Sequence, residues 1–520
     1  MRWRSFVSVL AVCGVGALGC GSPDDDPGGG GPVPYTPTPL PPLSAAPLGD
    51  ELTLVPGHAV SVPPESRRPY EPVALAALLA EGYGDFDLGP GEAHVTVAPP
   101  GTTPPAPGPN ARLLVRFAHL ADFQLADDES PARLALFDAP EITNAAFRPQ
   151  EGHGCRIVNA MVRTVNAVHE AAPLDFVLLG GDNADNAEGI ELDWVMAILG
   201  GDPRVECDTG ADDDPVAGAD NDPKDPFVAD GLAVPWYWVT GNHDVLKQGN
   251  IPVSDLLSAE ATGDSSAGGT RDWSRPGGPL FKGPVVPDAA RALLERPALM
   301  ARIAADGDGH GIGTAQVASG KAYYTFDVPG TPLRFVVLDT GAESGGSEGL
   351  VRQGDVDAFL VPALDAAQAE GKWVVLASHH AVGSLSNGVG LGGSEQPDAV
   401  LSDAYASLVG AYPNVLYSMV GHSHEHRVRE IAPAGGHAWW EVMTSAVADY
   451  PHQARIVEIW DQDDGWVMLR ATTLDYATEG DPVAAEGRHL GLVDFTAGWC
   501  DDGRGQAADR NVELWIQAPP

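Results

Sequence analysis

Basic residues are scarce in this chain. Its 520 residues include 30 Lys and Arg against 72 Asp and Glu, which gives a formal net charge of −42 at pH 7. A surface of this charge repels polyanions. The composition therefore argues against nucleic acid as a partner, and against contact of the folded chain with anionic membrane surfaces.

Cysteine is also rare, with five in the chain. None of them forms a C-x-x-C pair, so a cysteine-ligated metal site is not expected.

The segment 202–230 is rich in Asp, Gly and Pro but lacks the D-x-D-x-D-G spacing of a calcium loop. We interpret it as a solvated insertion. Hydrophobic residues make up 44% of the chain, which permits a sizeable core.

The N-terminus has the pattern of an export signal. Arg2 and Arg4 precede an apolar stretch at 6–18 that is too short to span a bilayer as a stable helix. The segment Ala17-Leu18-Gly19-Cys20 is similar to a bacterial lipoprotein cleavage site in which Cys20 is the lipidated residue. Ordinary secretion, with cleavage near Ala17 or Gly19, is the alternative.

A Gly- and Pro-rich tether follows the signal at 21–48. A lipid on Cys20 would hold the chain at a membrane while the tether keeps the folded part in solvent. We therefore expect an exported protein that is anchored in the periplasm or at the cell surface, or is secreted.

Three further segments follow the tether. We assign 49–110 to an N-terminal extension, 111–475 to the main domain, and 476–520 to a C-terminal extension that ends in a strand. Within the main domain, many glycines and few strand signals at 247–319 predict an insertion near the site, with a short helix at 288–294.

Apolar periodicity predicts the core elements. A strand at 113–120, a helix at 156–171 and a strand at 175–179 alternate, which is typical of a layered α/β core. Four later runs read as strands of a mostly antiparallel sheet, at 415–420, 437–444, 454–460 and 466–473.

Five predicted strands are each followed by a break and by side chains that can bind metal. The segments are Leu120–Gln124, Leu179–Asn183, Val239–Asp244, Leu376–His380 and Val420–His424. Together they offer seven oxygen or nitrogen ligands: Asp122, Gln124, Asp182, Asn242, His379, His422 and His424. Seven ligands are too many for one tetrahedral ion and suit two five- or six-coordinate ions that share Asp182.

The order of these motifs resembles that of the calcineurin-like metallophosphoesterase family, whose motifs run D-x-H, GD, GNH[DE], H and GHxH. The resemblance covers residues 112–473, and Gln124 departs from it, because the family usually has histidine there. The fold it implies is a four-layer αββα sandwich, here with an N-terminal extension and loop insertions.

The resemblance also implies ligand sets and an activity. One ion would take Asp122, Gln124, Asp182 and His424, and the other Asp182, Asn242, His379 and His422. The implied reaction is hydrolysis of phosphate mono- or diesters by a hydroxide that the two ions activate. The ions would be Mn, Fe or Zn, and we favour Mn because an amide oxygen at Gln124 is a harder ligand than imidazole.

Two further roles follow from the resemblance. His243 would face the substrate, where it stabilises charge or protonates the leaving oxygen, and Asp244 would orient its imidazole. An alternative is that Gln124 only forms hydrogen bonds and one metal is lost. A lipid-anchored surface protein that uses the fold for binding, with a degenerate or mononuclear site, is then the competing function.

Outside the cytoplasm, two of the three cysteines of the mature chain could pair. Cys155, Cys207 and Cys500 allow three pairings. We favour Cys155–Cys207, because these residues flank the segment of the second motif.

Overall fold

The computed structural model describes residues 35–139, 143 and 145–519. The predicted signal peptide, Cys20 and the first part of the predicted tether lie outside the described residues. No helix of the described part is both long and apolar enough to cross a membrane.

The described residues form both strands and helices. The strands are β1 (Leu52–Pro56), β2 (Phe86–Pro90), β3 (Val95–Val97), β4 (Arg112–Leu120), β5 (Phe176–Leu179), β6 (Trp236–Tyr237), β7 (Leu246–Lys247), β8 (Ile251–Pro252), β9 (Ser265–Arg271), β10 (Leu280–Pro284), β11 (Tyr324–Asp327), β12 (Leu333–Val337), β13 (Trp373–Ala377), β14 (Val415–Val420), β15 (Arg427–Ile431), β16 (Trp439–Met443), β17 (Gln453–Asp461), β18 (Trp466–Asp475) and β19 (Val512–Gln517). The α-helices are α1 (Pro72–Ala80), α2 (Gly154–Ala171), α3 (Gly189–Gly200), α4 (Asp255–Ala261), α5 (Arg296–Ala304), α6 (Thr314–Ser319), α7 (Gln353–Asp355), α8 (Val361–Ala369), α9 (Ser402–Val409), α10 (Pro482–Thr496) and α11 (Ala507–Arg510).

Two large sheets organise the fold. The first has seven strands in the order β3-β19-β18-β17-β4-β5-β6, and the second has six in the order β11-β12-β13-β14-β16-β15. The runs β4-β5-β6 and β12-β13-β14-β16 are parallel. Strands β5 and β14 are buried along their whole length, which is typical of parallel strands covered on both faces.

Aromatic side chains join the two sheets. Phe117 of β4 lies edge-on to Phe335 of β12, with ring centroids 5.6 Å apart, and Phe176 of β5 lies 5.3 Å from the same ring. Helix α2 packs its apolar residues into the core beside the first sheet, and α8 contacts β13 of the second. The predicted α/β sandwich of two packed sheets with helices is thus confirmed.

The predicted strand pairing of one sheet is wrong. The four runs at 415–473 were expected to form a mostly antiparallel sheet, but β14 and β16 pair in parallel in the six-stranded sheet. Strands β17 and β18 pair with each other in the seven-stranded sheet. Apolar runs alone do not show which sheet a strand joins, because both faces of β14 and β16 are buried.

The helix predictions for two segments were wrong, and neither segment has an amphipathic pattern. Helix α10 lies in the segment 476–520, where only a strand was predicted, and it is buried on most sides. The helix predicted at 288–294 is only a 3₁₀ turn at Ala289–Arg291, and α5 begins at Arg296, which Pro297 follows in the first turn.

The extensions contribute to the first sheet. Strand β3 pairs in parallel with β19, which itself pairs with β18.

The segment 202–230, predicted to be solvated, is so only in part: Lys224 is buried and pairs with Asp128 at 3.1 Å. The predicted Cys155–Cys207 disulfide is confirmed, and Cys500 is a free thiol.

Candidate metal centre

The predicted metal-binding segments meet where parallel strands of both sheets end. Asp122 follows β4, Asp182 follows β5 and Asn242 lies beyond β6, while His379 follows β13 and His422 follows β14. The carboxyl ends of neighbouring parallel strands lie at one edge of a sheet. The loops therefore bring side chains from both sheets to one place.

Asp122, Asp182 and His379 form the middle of this group, and all three are buried. One ligand atom of each lies within 4.8 Å of the others, and Nε2 of His379 is 3.0 Å from the Asp182 carboxylate. The other ring nitrogen of His379 lies 2.7 Å from the carbonyl oxygen of Gly180. This contact holds the tautomer whose Nε2 is free to bind metal.

Asn242 and His422 complete one side of the centre. The amide nitrogen of Asn242 donates to the Gly249 carbonyl at 3.0 Å, while its buried Oδ1 has no hydrogen-bond partner among the described residues. Nε2 of His379 faces the Asp182 carboxylate at 3.0 Å. The His422 ring lies 5.2 Å from that of His379. Buried polar atoms without partners are destabilising. A divalent cation would satisfy Oδ1 of Asn242, so the donor set fits a metal ion.

His424 lies on the other side of Asp122. Its Nε2 is 3.3 Å from the Asp122 carboxylate, and its Nδ1 is 2.6 Å from the carboxylate of Asp449. Arg148 donates from Nε to the second oxygen of Asp449 at 2.7 Å. Asp449 thus orients the imidazole of His424, as carboxylates behind metal-binding histidines do. No sequence motif marked Asp449 or Arg148, which lie in irregular segments.

Gln124 does not present a ligand oxygen to this group. Its Oε1 accepts a hydrogen bond from the guanidinium of Arg148, and its amide nitrogen faces the Asp182 carboxylate at 3.4 Å. This arrangement differs from the expected ligand role, because a charged donor at Arg148 holds the amide oxygen away from the metal ligands. Asp122, Asp182 and His424 are the side chains on that side that could hold an ion.

His243 lies in the cleft beside Asp182. Its backbone N–H donates to the Asp182 carboxylate at 2.8 Å, and its Nδ1 is 2.7 Å from the carbonyl oxygen of Asp185. A carboxylate oxygen of Asp185 lies 3.3 Å from the same nitrogen. Asp185 therefore orients the His243 imidazole.

The expected role of Asp244 is corrected by its contacts. Its carboxylate accepts backbone N–H groups of Asp182, Asn183, Ala184 and Gly241, at 2.8–3.1 Å. It holds the second and third motif loops together and does not orient the His243 ring. Although Asp244 directly follows His243 in the chain, its carboxylate points toward the two loops. The spacing of the two residues in the sequence did not show this direction.

Backbone strain is concentrated at this centre. Asp122, Asp182, His422 and His424 all have φ between 52° and 78°, which is unfavourable for residues other than glycine. Glycine allows the loops to approach each other closely: a Cβ on Gly241 would lie 2.0 Å from the Asp182 carboxylate. Strain and close approach at one set of ligands are characteristic of a functional site.

The charges of the centre are coupled. Burial lowers the pKa of His379, but the Asp182 carboxylate outweighs burial and raises that pKa to about 9. Burial likewise lowers the pKa of His424, but Asp122 and Asp449 together outweigh burial and raise the pKa to about 10. Burial and the neighbouring His380 hold the pKa of His422 well below its usual value. The metal-free centre therefore holds protons that a cation would displace.

Neighbouring histidines are engaged elsewhere. Both ring nitrogens of His380 have partners, Thr340 at 2.8 Å and the Ser347 carbonyl at 2.9 Å. Nδ1 of His119 lies 2.6 Å from the hydroxyl of Thr444. His380 also lies close to His379 and His422, and one ligand atom of each lies within 4.8 Å of the others.

A cleft of about 280 Å³ opens above the ligands. Asp182, Asn242, His243, His422 and His424 line its floor, and Ala145, Tyr450, Cys500 and Asp501 line a wall. Ser347, also in the lining, belongs to Gly345-Gly346-Ser347-Glu348-Gly349, which matches the G-x-S-x-G letters of a serine hydrolase elbow. The match lies in an irregular segment rather than between a strand and a helix, so it does not form an elbow.

Solved structures resemble the chain at low identity. A dimetal phosphatase from Danio rerio is 14% identical, with a TM-score of 0.40, over 70% of this chain and 100% of that chain. A purple acid phosphatase from yellow lupin (Lupinus luteus) seeds is 12% identical, with a TM-score of 0.30, over 71% and 52% of the two chains. A sulfate thiohydrolase of Thermus thermophilus, solved with glycerol, is 15% identical, with a TM-score of 0.30, over 76% and 61%.

No family model and no curated protein matches the chain. The function proposed below therefore rests on the geometry of the metal centre itself.

Proposed function

We propose that this chain is a metal-dependent phosphoesterase that hydrolyses phosphate mono- or diesters. The observation that carries the proposal is the buried, unpartnered Oδ1 of Asn242, which lines the same open cleft as Asp182, together with the buried group of Asp122, Asp182 and His379. Burying these polar groups costs free energy, which a bound cation would offset.

Two ligand sets share Asp182. Asp122 and His424 lie on one side of it, and Asn242, His379 and His422 lie on the other. Divalent cations bound there would supply a Lewis acid for a phosphoryl oxygen and would lower the pKa of coordinated water. They would also reverse the negative field of the chain at the place where a phosphate must bind.

His243 is the chain's own proton donor in this proposal. Burial lowers the pKa of its imidazole, but Asp182 and Asp185 together outweigh burial and raise that pKa. Asp185 fixes the ring through Nδ1. A protonated imidazole in the cleft lining can give its proton to the oxygen of the leaving alcohol.

Hydrolysis of p-nitrophenyl phosphate and of bis-p-nitrophenyl phosphate, after loading the full chain with Mn²⁺, tests the proposal. We expect turnover of at least one ester, and a loss of at least about 100-fold in kcat in Asp182→Asn and His379→Ala. Asp403→Asn on α9 is a matched control, because Asp403 is exposed and does not line the cleft.

Failure of the metal-loaded chain to hydrolyse either ester would contradict the proposal. Bound metal without turnover would favour the competing function, a surface protein that uses the fold for binding.

We also propose that the chain is exported and anchored through a lipid on Cys20. The Cys155–Cys207 disulfide supports export, because disulfides persist mainly in oxidising compartments. In a bacterial host we expect the chain in the membrane fraction, and Cys20→Ser in the soluble fraction. Cys13→Ser, in the same predicted signal, is the control. Equal membrane association of Cys20→Ser and the natural chain would overturn the lipid anchor.

A further inference from the structure

The cleft above the metal centre is poor in positive charge. No Lys or Arg side chain is among the described residues that line it. Its cationic capacity lies in the histidines and in the metal ions they would bind at the floor. A substrate with a second phosphate or a carboxylate would find no fixed cation on the walls, and it would face a chain of net charge −42.

Asp501 places a carboxylate on the cleft wall without a counter-ion. The residue is exposed, and no hydrogen bond or ion pair joins its carboxylate to another described residue. The other wall acid, Asp449, differs, because Arg148 and His424 already neutralise it. Asp501 is thus the carboxylate in the lining that is available to a ligand.

A guanidinium lies near this wall but is neutralised. Arg504 lies 5.5 Å from the centroid of the Tyr450 ring. Its nitrogens donate to both oxygens of Asp502, at 2.9 and 2.8 Å. In a bidentate pair of this kind, the carboxylate neutralises the guanidinium. Arg504 therefore does not supply the counter-ion that Asp501 lacks.

Ala145, Tyr450 and Cys500 stand beside Asp501 in the lining of the cleft. Tyr450 is 1% exposed and stacks on Phe495 with ring centroids 4.1 Å apart. A compact ligand group with a positive charge matches this lining, since its charge can face the carboxylate of Asp501.

We infer that the cleft selects phosphate esters whose alcohol part carries a positive charge, such as esters of amino alcohols or of quaternary ammonium alcohols, and that Asp501 determines this specificity. The inference rests on the proposed phosphoesterase function. The phosphate lies on the metal floor, and the cationic alcohol extends along the wall toward Asp501. Esters with further anionic groups are disfavoured by the same carboxylate.

The test compares esters that differ only in charge. Choline phosphate and 3,3-dimethylbutyl phosphate have nearly the same shape, and the second replaces the ammonium nitrogen by carbon. With the Mn²⁺-loaded full chain, phosphate release should give a kcat/KM about tenfold higher for choline phosphate. That ratio should shrink at about 0.5 M salt, because the carboxylate is exposed and its field is screened.

Variants of Asp501 assign the effect to this residue. In Asp501→Asn the ratio of the two kcat/KM values should fall toward one, mainly through a higher KM for choline phosphate. Asp501→Lys should reverse the preference and favour the phosphate ester of 4-hydroxybutyrate, which carries a carboxylate. Asp403→Asn removes the same charge away from the cleft lining and should keep the natural ratio.

The outcomes separate the inference from the function on which it rests. Hydrolysis of all esters with equal kcat/KM would overturn the inference and leave the phosphoesterase in place. An equal loss for all esters in Asp501→Asn would do the same, because it would show a general effect on the fold. Hydrolysis of no ester at all would overturn the proposed function instead.

Discussion

Gln124 and Arg148 make the two sides of the metal centre unequal. On one side, Oδ1 of Asn242 has no hydrogen-bond partner among the described residues, and Nε2 of His379 lies 3.0 Å from the Asp182 carboxylate. On the other, the Gln124 oxygen is held by Arg148, which leaves Asp122, Asp182 and His424. A guanidinium next to a cation site also repels the cation. The side with Gln124 should therefore bind its metal more weakly.

Replacing Gln124 by histidine should strengthen that side. After dialysis against equal Mn²⁺ and Zn²⁺, we expect the natural chain to retain less metal than Gln124→His and to favour Mn²⁺, because the variant gains an imidazole ligand. Metal content is measured by mass spectrometry of the digested protein. Gln368→His, on the exposed face of α8, controls for an added imidazole. Equal occupancy and equal selectivity of the two chains would contradict this asymmetry.

Asp185 and Asp244 should fail in different ways when their charge is removed. Asp185→Asn weakens the support of His243, so kcat should fall while the bound metal stays. It also removes a carboxylate partner of the buried Arg133, so its free energy of unfolding should fall as well. Asp244→Asn replaces one of the two carboxylate oxygens, which together accept four backbone N–H groups, by an NH₂ group that cannot accept. Its free energy of unfolding should fall by about 2–4 kcal/mol, and its metal content should fall with it. Urea unfolding and metal analysis of both variants check this. A loss of kcat in Asp244→Asn without a loss of stability or bound metal would contradict this assignment and would indicate that Asp244 orients His243.

Metal binding should release protons. In the metal-free chain the pKa values of His379 and His424 are raised to about 9 and about 10, so both imidazoles are protonated at neutral pH. A cation needs them neutral, so its affinity should rise with pH by about tenfold per unit for each proton released. Titration calorimetry with Mn²⁺ in two buffers of different ionisation enthalpy counts these protons. An affinity that does not change between about pH 6 and 8 would contradict the protonation of these ligands.

At the scale of elements, the sequence indicates the strands and the ligands at their ends, because apolar runs and glycine breaks are local signals. The positions of Asp182, His379 and His422 follow from this pattern. Arg148 and Asp449 could not be predicted in the same way, since they come from irregular segments far apart in the chain and meet only in the folded structure. Helix α10 was missed for a different reason: it is buried on most sides and so lacks an apolar stripe.

The Cys155–Cys207 disulfide ties the start of α2 to the segment 202–230. The two residues are 52 positions apart. A bond that closes a loop of this length stabilises a fold by about 4 kcal/mol in the chain-entropy account. The double variant Cys155→Ser, Cys207→Ser should therefore unfold at a lower urea concentration, whereas Cys500→Ser removes a free thiol and should shift the midpoint less. Equal midpoints for the double variant and the natural chain would contradict a stabilising role.

At the scale of the whole molecule, charge and topology act together. Two sheets supply ligands from facing edges, so neither sheet alone forms the centre. The chain carries a net charge of −42, and the cations that fit this centre would make it a local exception to that field. The segments before and after the core also take part: β3 and β19 extend the first sheet, and Cys500 and Asp501 line the cleft.

The central claim is that side chains from both sheets converge to hold divalent cations below the cleft. Anomalous diffraction from crystals of the full chain grown with Mn²⁺ tests it most directly. We predict an anomalous peak within coordination distance of Asp182, Asn242, His379 and His422, and a weaker one between Asp122, Asp182 and His424. An ordered structure in saturating Mn²⁺ without a peak at Asp182 would contradict the account.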